Sequence, residues 1–194
     1  MTSAHESRLP ASSPPKVLFL AIALIVAAFV LIPELGDYLP RTGDQAAVAA
    51  VVERVIVANQ SVGIPDERES NGHVAPETIE VLRAQVRATA AELFTVAYRE
   101  RWIDRTYEVI DLETSSEFIF DGGAYDFSRW RIVVFGGRAV VQVRCRIYLE
   151  MAQTFDGPRS RAENTVDYEL TLERVDDTWL VSSQSHRFAS GGGP

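Results

Sequence analysis

The chain has 194 residues, 46% of them hydrophobic, which is room for one folded domain of ordinary size plus an accessory segment. A net charge of -8 excludes a nucleic-acid binder built on clustered basic residues, and a single cysteine, Cys145, excludes an intrachain disulfide. Eighteen of the nineteen basic residues are arginine, Lys16 being the only lysine.

Residues 1–16 hold three prolines and four serines among few apolar side chains, the composition of a disordered N-terminus. Residues 17–32 follow as sixteen consecutive apolar residues, and Leu35 extends the run past Pro33 and Glu34. A bilayer span needs about 17–25 such residues. We read 17–35 as a single-pass signal anchor, with a cleaved signal peptide as the rival reading; no small-residue A-x-A cleavage site follows. Arg8 and Lys16 precede the run, whereas Glu34, Asp37 and Asp44 outnumber Arg41 after it. The positive-inside bias then leaves the N-terminus in the cytoplasm and exports the rest, making this a cell-membrane protein with an extracytoplasmic domain.

Thr42-Gly-Asp-Gln45 has the spacing of a capping box, and Val48, Val51, Val52, Val55 and Ile56 recur at helical intervals to about Asn59. Residues 60–75 read as a long loop. Pro76 suits the first turn of a second helix, whose buried stripe is Ile79, Leu82, Val86, Leu93 and Ala97, with Phe94, Tyr98 and Trp102 adding aromatic mass near its end. Residues 103–127 are hardest to assign. The expectation there is a strand over 105–112, a short helical turn near Phe118 and a loop at Asp121-Gly-Gly123.

Residues 138–151 form the clearest strand: Ala139, Val141, Val143, Cys145, Ile147, Leu149 and Met151 alternate with Arg138, Gln142, Arg144, Arg146 and Glu150. One apolar and one polar face indicate an antiparallel sheet covered on one side. A turn at Gly136-Gly137 places Val134 opposite Ala139, Ile132 opposite Val141 and Trp130 opposite Val143, with Arg129 and Arg131 meeting Arg144 and Gln142 on the polar face. The strand over 163–175 and a turn at Asp176-Asp177 then set Leu172 opposite Val181 and Asp167 opposite His186. Residues 189–194 are a flexible tail.

The fold class is therefore α+β: a transmembrane helix, then helices packed on a curved antiparallel sheet. The order of elements, closing with ENTVDYELTLERVDDTWLVSS, resembles the nuclear transport factor 2-like (SnoaL-like) superfamily over residues 42–188. That resemblance implies a bent sheet wrapped into a cone around a long helix. With one N-terminal anchor ahead, the layout also resembles Mce-associated and VirB-type assembly proteins, which implies a non-enzymatic extracytoplasmic interaction module, an accessory subunit of a transport or secretion complex.

The superfamily it resembles includes cyclases and isomerases with acid-base residues inside the cone, so the facing of each strand residue decides the alternative. The register sends Trp130, Val143, Tyr168 and Ser185 into the cone, with Ser183 and Arg187 near the last strand's end, and no carboxylate or histidine among them. Asp104, Tyr107, Glu108 and Asp111 have no assigned facing. His186 and Asp167 read as a solvated pair on the polar face. No metal-ligand spacing, phosphate loop or nucleophile motif occurs, so no cofactor is expected. The polar face itself, with Arg129, Arg131, Arg144 and Arg146 beside Asp167 and Glu169, is the candidate surface for a protein partner or a two-fold homodimer. An apolar cone could instead hold a small apolar ligand.

Overall fold

A computed structural model describes residues 41, 43–60, 63, 74–115, 118–152 and 157–189. Among these residues three helices, α1 (Asp44–Ala58), α2 (Pro76–Leu93) and α3 (Val96–Ser115), precede four strands, β1 (Phe118–Phe135), β2 (Arg138–Ala152), β3 (Ser160–Val175) and β4 (Thr178–Phe188). The strands form one open antiparallel sheet in the order β1-β2-β3-β4, with the helices packed on one face. Residues 17–35, read above as a membrane span, lie outside the described residues, as do 1–16 and 190–194. Among the described residues no helix is long and apolar enough to cross a membrane.

The valine stripe of α1 is buried as its spacing requires, with Val48, Val52, Val55 and Ile56 against the sheet. Thr42, which opens the expected capping box, lies outside the described residues. Gly43, at φ 54°, occupies the cap position without a side-chain bond, so Gln45 falls one residue early for the motif. Its Nε2 donates instead to the Ile132 carbonyl at 3.4 Å. Pro76 opens α2 as expected.

The single second helix of the sequence reading is two helices. Phe94 leaves helical geometry (φ -123°, ψ 145°), and the Thr95 N–H donates to the Val181 carbonyl at 3.0 Å, tying the break to β4. Two residues of extended chain put the buried Phe94 ring 4.8 Å from that of Trp102 and 5.6 Å from that of Tyr98. Ala97, expected in the buried stripe, is exposed because it belongs to α3.

The strand expected over 105–112 is the second half of α3. Trp102, Ile103, Thr106 and Ile110 are buried at intervals of three and four, the helical period, although the β-branched content of the stretch argues for a strand. Thr106 Oγ1 donates to the Trp102 carbonyl at 2.8 Å and Thr114 Oγ1 to the Ile110 carbonyl at 2.7 Å, which satisfies two buried hydroxyls inside the helix. The expected helical turn near Phe118 and the loop at Asp121-Gly-Gly123 are both β1. A glycine fits there because a Cβ on Gly123 would stand 2.8 Å from the Tyr148 ring on β2.

Strand pairing follows the expected register near the hairpins: Val134 faces Ala139, Ile132 faces Val141, Arg131 faces Gln142 and Leu172 faces Val181. The second turn has positive φ at both Asp176 (46°) and Asp177 (64°), as a type I′ hairpin demands; in the first, only Gly136 does (57°). Farther along, bulges intervene. Arg129 (φ 54°) and Trp130 together span the place opposite Val143, so Arg144 faces Ser128 rather than Arg129. On β4, Ser182 is an extra residue between the Leu172–Val181 and Thr171–Ser183 pairs.

Candidate functional site

Bulging at Ser182 reverses the facing of the end of β4. His186 pairs with Tyr168 and Asp167 with Arg187, correcting the expected Asp167–His186 pair. Opposed residues of an antiparallel ladder share a face, so Gln184 and His186 turn toward the helices. Ser183, Ser185 and Arg187, expected in the interior, turn outward. Trp130, Val143 and Tyr168 are buried inside as the alternation predicts.

The outer face carries a groove of about 530 Å³ bordered by Arg129, Arg131, Arg144, Asp167, Glu169, Ser185 and Arg187. At its centre Arg144 grips Asp167 with two parallel bonds: Nε donates to Oδ1 at 2.7 Å and Nη2 to Oδ2 at 2.9 Å. Arg187 Nε lies 3.7 Å from Asp167 Oδ2. The bonds from Arg144, reinforced by the charges of Arg187 and Arg129, hold the Asp167 carboxyl below the usual carboxylate range. Gln142 Nε2 donates to Glu169 at 3.1 Å. Arg146, expected beside Asp167 and Glu169, instead faces Thr165 across the ladder and donates to Glu163 Oε2 at 2.6 Å. The Tyr125 hydroxyl donates to the same oxygen at 2.8 Å and is the largest influence lowering the Glu163 carboxyl. Four arginines against two carboxylates leave the groove positive in a chain of net charge -8.

Behind the sheet, where α1 and α3 meet β4, lies a recess of about 240 Å³. Trp102 Nε1 donates to Asn59 Oδ1 at 2.8 Å, and Asn59 Nδ2 donates to Gln184 Oε1 at 3.0 Å. Gln60 Nε2 donates to the Tyr168 hydroxyl at 3.0 Å. Burial pushes the Tyr168 phenol up to about 12 and the adjacent Cys145 thiol also to about 12, which makes that cysteine a core residue rather than a nucleophile. His186 stands at the rim, bordering both recess and groove. Among the described residues no carboxylate lines the recess.

The residues whose facing the sequence left open all lie on α3 away from this recess. Asp111 accepts from Arg83 Nη2 at 2.9 Å, the Tyr107 hydroxyl accepts from Arg87 Nη1 at 2.6 Å, and Asp104 and Glu108 are exposed. Among the described residues no three His, Cys, Asp or Glu side chains gather as a metal site. The recess residues Asn59, Gln60 and Gln184 were missed in the sequence because amides at a helix end and on a strand carry no motif. The one usable signal was the helical period that puts Asn59 and Gln60 just past the buried Val55 and Ile56.

No family model and no curated protein sequence matches the chain. Among solved structures it is similar to the intermembrane-space region of the chloroplast protein ARC6, at 16% identity and TM-score 0.49, over 77% of this chain and 100% of that one. It is also similar to an IcmL-like type IV secretion system protein from Legionella pneumophila, at 12% identity and TM-score 0.47, over 79% and 99%. A third is a nuclear transport factor 2-like superfamily protein from Salmonella enterica, at 12% identity and TM-score 0.40, over 62% and 100%. Likenesses of this size decide neither family nor function, and the functional reading rests on the geometry above.

Proposed function

We propose that the chain is a membrane-tethered, extracytoplasmic interaction module of nuclear transport factor 2-like design, held by residues 17–35 and acting as an accessory subunit of a transport or secretion assembly. The observation that carries the reading is the contrast between the two sheet faces. The inner face is filled by Phe94, Ile56, Leu93, Ile110, Leu170 and Leu172, all fully buried, whereas the outer face, which no described element covers, holds the charged groove around Asp167. A filled interior with an open, electrostatically patterned face suits recognition of another protein, because such patterning steers encounter and fixes register.

Purifying the tagged full chain from membranes after chemical crosslinking tests it. The expected result is a stoichiometric partner whose crosslinking falls when Arg129→Glu and Arg187→Glu reverse the groove. A chain that crosslinks to nothing, or identically with and without the reversals, overturns the reading.

The recess supports a second reading, binding of a small ligand, because the Ser182 bulge turns His186 toward Tyr168 and the Asn59–Gln184 amides. Its 240 Å³ falls below the roughly 300–1,000 Å³ of ordinary ligand pockets, which favours the interaction reading.

A further inference from the structure

The outer face is not polar throughout. Phe135 is 88% exposed, Val133 65%, Val140 45% and Val175 44%, and all four lie at the hairpin end of the sheet. Val133 pairs directly with Val140, and Phe135 with Arg138. The Arg174 N–H donates to the Gly137 carbonyl at 2.8 Å, which locks the β3–β4 turn beside the β1–β2 turn. Both turns thus form one rigid tip with an apolar crown, bordered on the same face by Arg131 and by Arg138, whose Nη2 lies 3.9 Å from Glu173 Oε1, with Asp176 and Asp177 in the turn. Contiguous exposed apolar groups rimmed by polar residues mark contact with a membrane or a protein.

The end of the sheet at which they lie decides between these. The chain enters the domain there: the Arg41 guanidinium sits 4.1 Å from the Trp130 ring centroid, Arg174 Nη1 donates to Asp44 Oδ1 at 3.4 Å, and Gln45 Nε2 reaches the Ile132 carbonyl. Only six residue steps separate Arg41 from Leu35, the last apolar residue of the N-terminal run. Six steps reach at most about 22 Å. A bilayer holding residues 17–35 therefore lies within that distance of the Arg41 backbone, whose side chain reaches the Trp130 ring.

We propose that the hairpin tip docks on the outer surface of the membrane that anchors the chain. Phe135, Val133, Val140 and Val175 enter the boundary between headgroups and acyl chains, and Arg131 and Arg138 meet lipid phosphates. A bulky aromatic beside arginines suits that boundary, where one end of a group is apolar and the other wet. This inference rests on the tether of the proposed function and adds an orientation to it: the groove around Asp167 is presented beside the bilayer rather than away from it.

The test uses the full chain carrying Phe135→Trp, reconstituted in phosphatidylcholine vesicles with and without phosphatidylglycerol. Trp102, Trp130 and Trp179 are buried, so the added fluorescence reports the tip. The expected result is a blue shift of the added fluorescence and its loss with acyl-chain-brominated lipid, greater with phosphatidylglycerol present, and Val133→Trp gives the same. Flotation of vesicles with a chain whose tip is unquenched overturns the docking and leaves the tether standing. An unquenched tip that crosslinks to a second copy at position 135 overturns it in favour of self-association. A chain that does not float with the vesicles overturns tether and docking together.

Discussion

Tyr168 stands directly across from His186 in the β3–β4 ladder, their ring centroids 5.4 Å apart and inclined at 39°. That contact exists because Ser182 adds one residue to β4, and a one-residue slip exchanges the faces of everything beyond it. Deleting Ser182 is expected to return His186 to the outer face opposite Asp167 and to withdraw Gln184 from Asn59. Proton NMR checks it: nuclear Overhauser contacts between the Tyr168 and His186 rings, present in the parent, should vanish in the deletion. Their survival would mean that the bulge does not set the facing.

The Asn59 side chain joins three elements, accepting from Trp102 on α3 and donating to Gln184 on β4 from the end of α1. Asn59→Ala leaves the buried indole N–H without that acceptor, and an orphaned buried donor costs about 1–3 kcal/mol. Urea unfolding followed by tryptophan fluorescence should show a lower midpoint with unchanged slope. Asn59→Asp, which keeps an acceptor for the indole but no donor for Gln184, should lie between.

How much of this was legible beforehand follows the reach of local pattern. The alternation of β2 assigns its two faces, and the turns at Gly136 and Asp176 set the register next to them, because both signals are local. Strand 105–112 fails because Ile103, Thr106, Val109 and Ile110 have strand-like side chains at helical spacing, and packing on the core overrides propensity. The break at Phe94 depends on a hydrogen bond to Val181, some eighty-seven residues away. Arg187 and Ser185 belong to the outer groove although the alternation sends both into the cone, since Ser182 looks like any other strand residue. The exposed Val133, Phe135 and Val140 were readable from the same alternation that placed Arg131 and Arg138 outside.

Arg144 and Asp167 are each only about a quarter exposed, so their bidentate pair is better shielded than an ordinary surface pair. Because the folded state holds the Asp167 carboxyl below its unfolded value, its contribution is present above pH about 4 and is lost as pH falls through the depressed value. Asp167→Asn should lower stability by about 1 kcal/mol at neutral pH. As pH falls below about 4 the difference should shrink, and urea midpoints across an acid series would show it; a difference independent of pH would contradict the linkage.

Alkaline behaviour should be governed by Cys145 and Tyr168, both buried against the helices. Burial raises the thiol from an ordinary 9.0 and the phenol from 10.0, each to about 12. The folded chain therefore keeps protons that the unfolded chain releases, so stability is full below pH about 9 and falls between 9 and 12. Cys145→Ala removes the portion that begins at 9, while Tyr168→Phe removes the portion that begins at 10 and also the bond from Gln60. Urea midpoints measured up to pH 11 should fall less steeply in either variant than in the parent. A thiol reagent should modify Cys145 only at the rate of unfolding; rapid modification of the folded chain at pH 8 would place Cys145 outside the core and remove the basis for the alkaline loss.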